Sequence, residues 1–165
     1  MSSRDRDSAG RPTNARPRDG LGRPLPRGAR GVDRVPEDVV LSPAEALPRA
    51  QQLLDDGYPF HAHEVLEGVW KSTEGEHREL WQGLAQLAVG LTHVRRGNPA
   101  GAIALLRRSV DRIDRYATAP PHGLDIAGLA AHARFLADRI ERDGVNGLSS
   151  ADLRPRLVGP QPTAR

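Results

Sequence analysis

Cysteine is absent from the 165 residues. That excludes disulfide stapling, thiolate-ligated zinc and a thiol nucleophile, and it fits a reducing cytoplasm, the compartment expected here. Lysine occurs once, at Lys71, so almost all positive charge is Arg. Aromatics are scarce too, with two each of Phe, Trp and Tyr. The most apolar run lies around Leu84–Leu91, far short of the roughly 20 apolar residues that span a bilayer. Residues 1–35 contain no apolar segment of the kind a secretory signal needs.

Charge is divided unevenly along what is present. Residues 1–35 hold nine Arg and four Asp, net +5, and residues 154–165 add three Arg and no acid. The stretch between carries 12 basic and 17 acidic residues, net −5. A nucleic-acid-binding fold concentrates its cations on a structured face, so nucleic acid is expected nowhere but at the Arg-rich tails. The composition divides the chain into a disordered Arg/Gly/Pro-rich leader (1–35), a helical domain (36–145) and a flexible tail (146–165).

Within the domain the apolar spacing is helical. Ser42, Pro43 and Glu45 read as an N-cap, a first-turn proline and a capping-box partner, while Pro48, five residues further in, leaves open a start just before it. Gly57 closes this helix. Pro59 opens a second one, which runs to about Lys71. A third spans about Glu76–Arg96, and Asn98-Pro99 cap a fourth that reaches about Ala117. After Pro120, Pro121 and Gly123 comes a fifth, about Asp125–Arg142. The fold class is therefore all-α: a compact antiparallel bundle of four main helices plus a short leading one.

Two of these helices carry polar residues where an apolar stripe would be expected. On the second, His63 and Glu67 stand one turn apart among Phe60, Leu66 and Trp70, while His61 points away. On the third, opposite Leu80, Leu84, Leu87, Leu91 and Val94, run Arg78, Gln82, Gln86, His93 and Arg96. Gly83, Gly90 and Gly97 edge that stripe and admit a close neighbour. Antiparallel packing of the two helices would set His63 and Glu67 against Gln82, Gln86 and His93.

The pattern Phe60-x-x-His63-Glu64-x-x-Glu67-x-x-Trp70, Gln82-Gly83-Leu84-x-Gln86-Leu87-Ala88 and His93-x-x-x-Gly97-Asn98-x-x-Gly101-Ala102 resembles domain-of-unknown-function family 309. The likeness covers about Leu53–Tyr116. It implies a small all-helical prokaryotic-type protein and brings no activity with it. The motif positions it carries over are His63, Glu64, Glu67, Trp70, Gln82, Gln86, His93, Gly97 and Asn98.

Several readings of these residues stay open. His63-Glu64-x-x-Glu67 is close to the helical zinc-protease pattern, with Glu in place of the second His. His63, Glu67 and His93 would supply three ligands for a divalent metal, with Glu64 as base of a hydrolase. A metal-free acid–base role for His63 or His93 needs an open cleft. The plainest reading is a buried hydrogen-bond network that sets helix register. The leading functional expectation is a partner- or ligand-binding module. It would use His63, Glu64, Glu67, Trp70, Gln82, Gln86, His93 and Asn98 toward an unidentified protein or small ligand, with a homo-oligomer as a further possibility and no membrane.

Overall fold

Helix boundaries follow local chemistry. In a computed structural model, which describes residues 17–26, 28–32 and 39–159, Ser42 caps the first helix, α1 (Pro43–Asp55), by accepting from the Glu45 amide. The Glu45 side chain returns the favour to the Ser42 backbone. Pro48 stands inside α1 on its exposed side, so the hydrogen bond it forfeits lies where water can serve the orphaned carbonyl. Gly57, at φ 84°, turns the chain back. Pro59 then starts α2 (Pro59–Ser72). α3 covers Arg78–Arg95 and α4 covers Pro99–Ile113, the latter capped by Asn98 and prolonged by a 3-10 turn over Asp114–Tyr116. α5 (Ile126–Asp143) begins at Asp125, whose carboxylate accepts from the Gly128 amide.

The expected all-α architecture is what the described residues adopt, and each helix packs against the next. α1 has 13 residues against 14 for α2, so the leading helix is a full member of the bundle. Every residue of the expected α3 stripe is buried, as are Ile126, Leu129, Ala133, Leu136 and Ile140 on α5. Trp81 joins them at 1% exposure.

The glycines of α3 set its distance to α4. A Cβ on Gly83 would lie 2.6 Å from Ile113 Cγ2, and one on Gly90 would lie 2.9 Å from Leu106 Cγ. The close neighbour that the glycine edge of α3 admits is therefore α4. Ser109 enters the same interface fully buried, with its hydroxyl donating to the Leu106 carbonyl at 2.7 Å. The Arg107 guanidinium of α4 reaches across to Glu141 and Asp138 on α5.

Where they are described, both expected tails make contacts with the bundle. Leu153 and Leu157 are buried at 8% and 1% exposure, with Pro155 buried between them. Gln51 of α1 clamps this segment by donating to the Pro155 carbonyl and accepting from the Leu157 amide. The Leu157 carbonyl accepts from the Asp125 amide. After a 3-10 turn over Ala151–Leu153, residues 154–159 run without helix and complete the core, with alternate side chains turned inward where a helical period would have shown nothing. Within the leader, residues 17–25 form a turn that rests on Tyr58, Phe60 and Arg96. The rest of the flexibility expectation, for residues 1–16, 27, 33–35 and 160–165, lies outside the described residues.

Candidate functional site

α2 presents four half-buried side chains in a row: Phe60, His63, Glu67 and Trp70. Their helical angles fall between the buried arc and solvent, which is why none is sealed. His63 Nε2 and Glu67 Oε2 stand 3.1 Å apart, and Lys71 Nζ lies 2.9 Å from Glu67 Oε1. The hydrogen bond from His63, aided by Lys71 and opposed by partial burial, draws the Glu67 carboxyl down to about 2. Glu67 is therefore ionised at neutral pH and unsuited to donate a proton there. The Phe60 ring lies 5.5 Å from that of His63.

α3 flanks this row antiparallel. Arg96 stands over Phe60 at 5.5 Å and Arg78 over Trp70 at 5.1 Å, so each end of the α2 row is covered by a guanidinium. Between them, on α3, come the half-buried Gln82, Gln86, Val89 and His93. Two of the expected partners nevertheless turn to α4. Gln86 Oε1 accepts from Arg112 Nε at 3.0 Å, and Arg112 also holds Glu79 at 3.1 Å, where Arg115 joins it. His93 Nδ1 stands 3.1 Å from Asn98 Nδ2.

That last contact accounts for much of the His-x-x-x-Gly-Asn-x-x-Gly spacing. Asn98 Oδ1 accepts from the Gly101 amide, the N-cap bond of α4. Burial, with Arg96 nearby, holds His93 below its ordinary pKa, so the neutral ring accepts at Nδ1 from Asn98. Gly101 is required by closeness: a Cβ there would sit 2.6 Å from Asn98 Nδ2 and 2.9 Å from His93 Nδ1. Gly97, at φ 70°, supplies the left-handed turn before the cap.

The three-ligand metal arrangement is not assembled. Among the described residues no group of three His, Cys, Asp or Glu side chains could hold a metal ion. His63 and Glu67 meet, whereas His93 is committed to the α4 cap. Glu64 is half-buried beside the row. His61, expected to point away, is 2% exposed between the rings of Tyr58 and Phe60. It stands beside Val65 on the edge of the buried arc opposite Trp70, a position that helical spacing itself allows. The flanking cations Arg78 and Arg96 were legible as members of the polar stripe but not as ring covers.

Two polar atoms in the row have no hydrogen-bond partner among the described residues although both are buried: Trp70 Nε1 and His63 Nδ1.

Comparison with known proteins bears on this same stretch. Residues 47–105 match the family model of a domain of unknown function, DUF309. The matched segment runs from α1 through α2 and α3 into the first half of α4, so it contains the whole row and the Asn98 cap. It bears out the resemblance drawn from the motifs. An uncharacterized protein of Bacillus subtilis strain 168, YpuF, is 46% identical over 52 residues, which is 31% of this chain and 30% of that relative. The chain thus aligns with about a third of the relative's length. No solved structure matches. Nor is any helix among the described residues long and apolar enough to cross a membrane.

Proposed function

We propose that this chain is a non-catalytic recognition module whose α2–α3 face takes a protein segment or small ligand in a cytoplasmic setting. The observation that carries the reading is the pair of buried, unpartnered atoms, Trp70 Nε1 and His63 Nδ1, on one half-open row. A buried polar group without a partner costs about 1–3 kcal/mol. A ligand that brings an acceptor to the indole N–H recovers that cost. The surroundings suit such a ligand. The indole offers a flat apolar surface, Arg78 and Lys71 attract a carbonyl or carboxylate, and Gln82 is an adaptable amide.

The test uses Trp70→Phe, which keeps the ring and deletes only the N–H. Partners captured on the wild-type chain, and carboxylate- and amide-bearing compounds that raise its melting temperature, are remeasured by titration calorimetry. Affinity is expected to fall about tenfold, the worth of one buried hydrogen bond. Unaltered binding of every captured species to both Trp70→Phe and His63→Gln would refute the reading.

A further inference from the structure

The polar row ends at Phe60, and there the chain covers itself. Arg96 donates from Nε and Nη2 to the Leu21 carbonyl at 2.9 and 2.7 Å. Gly22 is buried against the Phe60 ring, so close that a Cβ would fall 2.1 Å from Phe60 Cγ, and its φ is +76°. Gly20 lies against Tyr58 in the same way, with 2.8 Å from a Cβ to Cε1. The Arg18 guanidinium stands 5.1 Å from the Phe60 ring centre.

The segment holds a defined shape. Asp19 Oδ1 accepts from the amides of Leu21 and Arg23, the Asp19 carbonyl accepts from Gly22, and the Leu25 amide donates to the Pro17 carbonyl. An aspartate bonding the backbone just ahead is the usual way such a turn is fixed.

We propose that the Tyr58–Phe60–Arg96 corner is a docking site for a glycine-containing peptide turn, filled here in cis by residues 17–25 as a releasable plug. Three features support that occupant and its release. The contacts are carbonyl-to-guanidinium, glycine-to-ring and cation-to-ring, all of which an incoming turn can reproduce. The plug brings no apolar anchor, since Leu21 and Leu25 are only half-buried, in contrast to the sealed Leu153 and Leu157 at the other end of the chain. Charge favours return after release, because the leader is net +5 and residues 36–153 are net −5. The short connection to α1 keeps the local concentration of the plug in the millimolar range. Weak contacts then suffice to hold it, and a partner turn with a better fit displaces it.

The consequence for ligand access rests on the recognition reading above, but the docking is tested without it. Gly22→Val, in the full chain, sets a methyl into the Phe60 ring and strains the turn while leaving every helix residue in place. In this variant the Arg96 Nε proton and the Leu25 amide are expected to exchange with solvent at least tenfold faster by NMR. The melting temperature should move by less than about 4 °C, the shift that marks loss of core packing. A synthetic peptide of residues 17–32, titrated to millimolar concentration, should then perturb the Phe60 ring resonances of the variant and leave the wild-type chain unaffected. Arg96→Gln, which removes both bonds to Leu21, should weaken the peptide's effect in the Gly22→Val background. Equal exchange in the two chains would overturn the proposal. A larger fall in melting temperature would make the segment part of the core and overturn it too, as would a peptide that perturbs both chains or neither. None of these results touches the Trp70→Phe test, so failure of the plug and failure of the recognition face are separable.

Discussion

Glu67 shows how a single contact sets a charge state. Its carboxyl accepts from His63 and pairs with Lys71, and in the folded chain its pKa falls from 4.5 to about 2. A folded-state pKa below the unfolded value means the ionised group favours the fold. That contribution is complete above about pH 4.5 and is lost as pH falls through about 2. Carbon-detected NMR should find the Glu67 midpoint near the lower value, and His63→Ala should raise it, because the imidazole hydrogen bond is the largest cause of the depression. An unchanged midpoint in His63→Ala would show the assignment of cause to be wrong. Asn98 offers a second check at this scale. Asn98→Ala removes the cap acceptor for Gly101 and the donor to His93, so it should cost about 1 kcal/mol in denaturant unfolding. A Gly101→Ala change should cost a similar amount, by pushing the same two side chains apart. The His63–Glu67 pair was legible in advance because helix geometry alone fixes an (i, i+4) contact. The partners of Gln86 and His93 were not, since they depend on which neighbour a helix flank meets.

Helices and their ends were legible as elements. The capping box at Ser42, the proline at the head of α2, the Asn98-Pro99 start of α4 and the start of α5 at Asp125 each act locally, and the apolar 3-4 spacing fixed the inward faces. What spacing left open was the partner of the glycine edge of α3, because closeness serves any neighbour equally. Glycine substitution separates intrinsic helix preference from packing. Gly68 lies exposed on α2, with nothing within 4 Å of an added Cβ. Gly68→Ala should stabilise the protein by about 0.5–1 kcal/mol, the helix-propensity gain alone. At Gly83 the same methyl would meet Ile113 Cγ2 at 2.6 Å and Arg112 Cβ at 2.9 Å. Overpacking costs about 1–3 kcal/mol, which outweighs the propensity gain, so Gly83→Ala should destabilise. Chemical denaturation of the two variants side by side gives the comparison. Equal signs would mean that α3 and α4 are not in close contact at Gly83.

The molecule as a whole is closed by a segment whose pattern is not helical. Residues 153–157 alternate, with Leu153, Pro155 and Leu157 inward and Arg154 and Arg156 outward. That period-two signal was present in the sequence. Its shortness, with three prolines and three arginines over residues 154–165, made it resemble a tail, and only the tertiary frame reveals the slot it fills. The slot is built by distant parts: Gln51 of α1 bonds both sides of Arg156, and Asp125 and Gly123, at the head of α5, pair with Leu157 and Gly159. Residues 151–159 and residues 17–25 therefore make different kinds of contact with the bundle, the first through sealed apolar side chains and the second through hydrogen bonds and ring contacts. Stability should separate them. Leu157→Ala removes a side chain that is 1% exposed, for which large-to-small changes cost about 2–5 kcal/mol. Gln51→Ala leaves the Leu157 amide and the Pro155 carbonyl without their partner and should cost about 1–3 kcal/mol. Because both changes loosen the same segment, their effects should add to less than the sum in the double variant. A fully additive double variant would mean that Gln51 and Leu157 act on separate parts of the fold, and that residues 151–159 are not held as one unit.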